Sequence, residues 1–185
     1  MRPVRRSELL DLRTYERVRD DVRREVIATK QARRVHVGAH LTFLFENHRT
    51  VWYQIQEMLR AERITDEAAI EHELRTYNEL LGGPGELGAT LLIEIEDPAV
   101  RAVKLQAWRD LPSYIYARFE DGRRVRPAFD PRQVGTDRLS SVQYLRFPTG
   151  GEVPQALGVA WPGEEQEAAL TPAQRAALAA DLAAD

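Results

Sequence analysis

Eight polar residues with chemical potential fall between positions 48 and 78: His48, Gln54, Glu57, Arg60, Glu62, Glu73, Tyr77 and Asn78. The chemistry they suggest is carboxylate-based. Acid–base catalysis needs a carboxyl whose pKa is moved by burial or by neighbouring charge. On a helix starting near Asn47, Val51, Trp52, Ile55, Met58 and Leu59 form one apolar arc at about 100° per residue. His48 and Glu62 fall inside that arc at its two ends, Gln54 and Glu57 sit at its polar margin, and Arg60 lies beyond. A carboxylate on an apolar stripe must be paired, hydrogen-bonded or shifted in pKa. Glu62 is therefore expected to be partly buried beside a partner such as His48, Arg63 or Tyr77, and the alternative is an ordinary ion pair at the last helical turn. The candidate site takes Glu57 and Glu62 as base or metal ligand, with Gln54, Arg60 and Tyr77 orienting a substrate or cofactor. Neither the metal nor the cofactor is specified by these residues.

The elements that must position these groups are legible from periodicity. Residues 33–46 alternate like a pair of half-buried strands broken at Gly38. A second helix follows Thr65 or Asp66 as N-cap, buries Ile70, Leu74, Tyr77 and Leu81, and stops at the GGPG of 82–85. Packed side by side, the two helices could gather His48, Glu62, Glu73 and Tyr77. Upstream, Tyr15, Val18, Val22 and Val26 give a helix over 14–30 a narrow apolar stripe. Downstream, 90–96 reads as a strand. Asp97-Pro98 opens a helix over 98–110, and 114–126 forms a hairpin about Asp121-Gly122. Residues 142–147 form a further strand, and 157–161 could add an edge strand. Thr171-Pro172-Ala173-Gln174 caps an Ala-rich helix with few large apolar anchors, expected to be loosely docked.

The order does not alternate regularly enough for a doubly wound parallel sheet. It predicts a single α+β domain over 1–165, a mostly antiparallel sheet packed by about four helices, with 166–185 as a helical tail. The chain has 185 residues, 43% of them hydrophobic, which suffices for one core.

Composition removes several classes. With no cysteine there is no disulfide, thiolate nucleophile, iron–sulfur ligation or cysteine zinc site, and any metal would rest on four histidines and the carboxylates. No apolar run is long enough to cross a membrane, and no signal-peptide pattern opens the chain, so a cytoplasmic location is expected. Residues 1–34 carry eleven Lys/Arg against six Asp/Glu, while 152–185 carry six acids against Arg175 alone. The N-terminal arginines alternate with acids, the pattern of a solvated helix face, so no nucleic-acid partner is expected. Phosphate-cradling loops, H-E-x-x-H, Glu-x-x-His and G-x-S-x-G are missing from the sequence.

The stretch QARRVHVGAHLTFLFENHRTVWYQIQEMLRAERI, then ELRTYNELL, then ATLLIEIED, resembles a bacterial family classed as domain of unknown function 3501. The resemblance is strong over Val26–Asp97, looser to about Phe147, and rests on FEN-R-T…Q-x-x-E-M-x-R-x-E…YN. It carries over no catalytic residues. It implies a genomic setting near rubrerythrin-like proteins and heterodisulfide-reductase-like iron–sulfur oxidoreductases, and hence peroxide defence or electron transfer. Two readings follow. The favoured one is an accessory protein that binds a rubrerythrin-like or iron–sulfur oxidoreductase partner. The other is a small metal- or acid/base-dependent enzyme with its site on helix 48–62.

Overall fold

The alternating stretch after residue 32 forms β1 (Arg34–Val37) and β2 (Leu41–Phe45), an antiparallel pair turning at Gly38–His40. Gly38 adopts φ +62°, and a Cβ there would strike the Gln166 side chain, so the turn requires glycine. The computed structural model describes residues 1–184, apart from the side chains of Arg132 and Glu164. β2 pairs with β3 (Leu87–Ile93), β3 with β7 (Val142–Phe147), and β7 with the short β6 (Ala128–Phe129). All these pairings are antiparallel. Val35, Val37, Phe43, Phe45, Ala89, Leu91, Leu145 and Phe147 share the buried inner face.

A second antiparallel sheet lies across that face, in the order β5 (Arg124–Val125), β4 (Ile115–Arg118), β8 (Ala156–Trp161), β9 (Glu164–Ala169). Its Ile115, Ala117, Leu157 and Val159 join the same apolar cluster, together with Leu105 of α4 (Pro98–Ala107) and Leu178 of α5 (Pro172–Ala183). The hairpin at 114–126 thus belongs to this sheet, and the single sheet expected from the sequence is two. The fold remains one α+β domain.

The remaining helices are α1 (Leu12–Gln31), α2 (His48–Ala61) and α3 (Glu67–Asn78). Their apolar faces make a separate cluster around Tyr15, Val26, Val51, Trp52, Ile55, Leu59, Ile70 and Leu74. This helical layer meets the outer face of the first sheet. The chain after α3 runs so close to β3 that a Cβ on Gly88 would lie 1.9 Å from the Leu80 carbonyl oxygen. No helix among the described residues is long and apolar enough to cross a membrane.

Several expected boundaries shift for identifiable reasons. Asp11, not Thr14, caps α1 by accepting from the Thr14 N–H at 3.0 Å, so the helix starts at Leu12. α3 ends at Asn78, before the glycines, and α4 ends at Ala107. β3 begins at Leu87, earlier than expected, and β6 lies in what reads as loop. β9 has no apolar alternation to announce it, because its acids face arginines: Glu167 pairs with Arg118 at 2.7 Å and Glu165 with Arg124 at 2.6 Å. The expected boundary at 165 falls inside this strand.

The loosely docked tail is also corrected. Leu178 is fully buried, and Asp181 takes a two-bond fork from Arg33 at 2.7 and 2.8 Å. A polar anchor replaces the large apolar residues that α5 lacks.

Candidate functional site

Asn47 starts α2 by a reciprocal cap: its Oδ1 accepts from the Thr50 N–H at 2.9 Å, and its own N–H donates to Thr50 Oγ1 at 2.9 Å. This cap sits in a buried polar seam between sheet and helices. Glu46 is 1% exposed, and its carboxylate accepts from Thr50 Oγ1 at 2.5 Å, Thr90 Oγ1 at 2.7 Å and Gln54 Nε2 at 3.0 Å. The Asn47 amide donates to Asp181 at 3.1 Å, which extends the seam to the Arg33 fork. Among the described residues, three neutral side-chain donors and no cation meet Glu46. Such a network holds only when its members are satisfied together.

Gln54 therefore lies in the seam and binds Glu46. One turn further on, Glu57 receives Arg19 in a bidentate pair, both bonds 2.8 Å, and the Tyr15 hydroxyl at 2.7 Å. Arg19 holds the Glu57 carboxyl below its ordinary pKa; burial opposes this, and the Tyr15 bond adds to it. Burial, and then the bond to Glu57, raise the Tyr15 phenol. Arg60 reaches Glu16 on α1 at 2.7 Å. These contacts fasten α2 to α1.

Glu62 is exposed, which corrects its expected partial burial. It is the C-cap of α2, outside the helical arc on which the wheel placed it. Arg63 follows at φ +52°, the Arg63 N–H donates to the Arg60 carbonyl at 3.3 Å, and the Ile64 N–H donates to the Leu59 carbonyl at 2.9 Å. This pair of bonds ends the helix and leaves the Glu62 side chain in water. His48 sits at the opposite end of α2, against the Arg2 carbonyl and Glu8, both at 3.2 Å. About 20 Å of helix separates it from Glu62, so the expected gathering of His48, Glu62, Glu73 and Tyr77 does not form.

Asn78 clamps the backbone of Val4 through both amide atoms, at 2.8 and 3.0 Å. Tyr77 has a different setting. It is half-buried, and its hydroxyl pKa is raised by burial first and by Glu73 second. It lines a cleft of about 920 Å³ between the end of α3 and strands β6 and β7, together with Phe129, Gln133, Tyr144 and Arg146. Tyr144 is 44% exposed there.

The residues that sequence reasoning missed are Glu46, Thr90, Arg33 and Asp181. Glu46 reads as the last residue of a strand, and its contact with Thr90 spans 44 positions. A signal existed for Asp181: it is a lone acid between Leu178 and Leu182 on an otherwise Ala-rich helix. Among the described residues, no three His, Asp or Glu side chains converge as metal ligands.

Most of the pattern FEN-R-T…Q-x-x-E-M-x-R-x-E…YN is thus accounted for by contacts that build the fold, the exposed Glu62 and the cleft-lining Tyr77 excepted. The remaining arginine, Arg49, pairs with Glu25 at 2.8 Å and lies 4.5 Å above the Trp52 ring. The family described as "Protein of unknown function (DUF3501)" matches residues 3–182. A crystal structure from Burkholderia pseudomallei K96243, described as a novel protein of unknown function, is similar at a TM-score of 0.89 and 34% identity. The match covers 98% of this chain and 100% of that one. No curated protein shows significant similarity. The chain belongs to the DUF3501 family.

Proposed function

We propose that the protein is a cytoplasmic accessory factor that binds a redox partner, and that a surface loop of this partner enters the cleft beside Tyr77 and Tyr144. The observation carrying this reading is the commitment of α2's polar groups. Gln54, Glu57 and Arg60 each have a partner inside the fold. A catalytic carboxylate on α2 would have to leave Arg19 and Tyr15 before it could take a proton or a metal. The cleft, by contrast, is lined by the exposed Tyr144 and Arg146 and the half-buried Tyr77. Tyrosine and arginine are the residue types that most often anchor protein interfaces. The choice of a rubrerythrin-like or iron–sulfur oxidoreductase partner rests on the family resemblance.

Calorimetric titration of the full chain with purified partners of both kinds, from the same genome, tests this. Micromolar binding is expected to at least one, weakened about tenfold or more by Tyr144→Ala and by Arg146→Ala, the loss typical of an interface anchor. Absence of binding to both partners contradicts the reading. Binding that survives both substitutions also contradicts it, since the cleft would then not be the interface.

A further inference from the structure

A second cavity shares no lining residue with the cleft and is independent of it and of any redox partner. It holds about 150 Å³ between the β1–β2 turn, α4 and the ends of β8 and β9, where His40, Lys104, Trp108, Val159, Trp161 and Gln166 surround it. Two of the chain's three tryptophans are here. Trp161 is braced edge-on by Tyr114 at 4.8 Å between ring centroids, and His40 leans on Trp108 at 6.0 Å. Lys104, His40 and both indoles are half-buried, so the cavity opens to solvent past them. The Lys104 ammonium lies 4.7 Å from the centre of the Trp108 ring. Among the described residues no carboxylate pairs with it, although acids outnumber bases in the chain by 29 to 26.

We propose that this cavity is a binding site for a single-ring aromatic carboxylate. Size sets the ring: a volume of about 150 Å³ is enough for one benzene ring, here between aromatic and aliphatic walls with polar groups at His40, Lys104 and Gln166. Chemistry sets the rest. Trp108 and Trp161 line the cavity with aromatic surface suited to a flat ring, and the ammonium of half-buried Lys104, which has no carboxylate partner among the described residues, favours an anionic substituent. A cationic ligand of the same shape would meet Lys104 as a like charge.

Benzoate is the probe, with benzylamine as its cationic counterpart. Titration of the full chain is followed by calorimetry and by tryptophan emission, which reports directly because Trp108 and Trp161 line the cavity. Saturable benzoate binding with a change in emission is expected, with at least about tenfold weaker binding of benzylamine. Lys104→Met keeps the aliphatic stem but removes the charge. It should weaken benzoate about tenfold or more, the effect of losing a charge-assisted bond, with an unchanged melting temperature. No saturation by benzoate, equal binding of benzylamine, undiminished binding by the Lys104→Met variant, or binding heat without an emission change would each overturn the proposal.

Discussion

Arg33 and Asp181 show how one buried pair decides the placement of a helix. Both side chains are nearly inaccessible, at 11% and 8% exposure, and they join residues 148 positions apart. Removing one partner of a buried pair strands the other charge, whereas replacing both with apolar groups is often neutral. Arg33→Met should therefore lower stability by about 3–5 kcal/mol in urea denaturation, and adding Asp181→Leu should restore most of it. Losses that simply add, from each single variant to the double, would mean that the pair holds nothing. The Glu46 carboxylate belongs to the same class of residue, with its selection explained only by Thr50, Gln54 and Thr90 around it. None of these long-range partners is visible in sequence, where period and capping report only on near neighbours. Glu57 was legible as a margin residue of α2, but its use was not, because Arg19 and Tyr15 come from another helix.

At the scale of elements, the sequence was most informative where local chemistry decides. The Asp66, Asp97 and Thr171 caps all form as their spacing suggests. The hairpin forms about Asp121-Gly122, but its loop is the three residues 120–122 between the paired Phe119 and Arg123, one more than the two-residue turn expected, with Gly122 at φ +84°. It was least informative where a neighbour decides: β9 is a strand because β8 pairs with it along its full length. The end of α2 lies between these cases. The helical wheel extended through Glu62, but the chain turns left-handed at Arg63, a conformation that glycine adopts without strain. Arg63→Gly should therefore raise stability by up to about 1 kcal/mol with no change in helix content. Destabilisation in a thermal melt, with loss of helical signal, would show that the arginine side chain does more than complete the turn.

For the whole molecule, two apolar clusters that share no residue are joined by a polar seam and flanked by ion pairs. Acid should loosen this arrangement. Glu8 is held down to about 2, chiefly by its hydrogen bond with Arg2, and Glu57, Glu16, Glu67, Glu165 and Glu167 are also depressed by their arginine or tyrosine partners. A carboxyl with a lowered folded-state pKa adds stability above its unfolded value of about 4.3, and that stability is lost as pH falls through the folded value. The melting temperature should hold steady down to about pH 5 and then fall progressively towards pH 2. Tyr15 and Tyr116 carry the opposite sign: their raised pKa values add stability that is lost as pH climbs beyond about 10. A melting temperature that is flat from pH 5 to pH 2 would contradict these assignments.

The central claim is that the polar residues of α2 build the fold and are not reserved for chemistry. Glu57 tests it most directly, because it is the carboxylate best placed for either role. Residues kept for catalysis tend to trade stability for function, so replacing them leaves a protein as stable or more so. A structural carboxylate behaves in the opposite way. Equilibrium urea denaturation of Glu57→Gln at neutral pH should show a loss of about 1–3 kcal/mol, the range for breaking a partly buried, charge-assisted bond. The substitution should have little further effect in an Arg19→Met background. Unchanged or increased stability of Glu57→Gln would contradict the account.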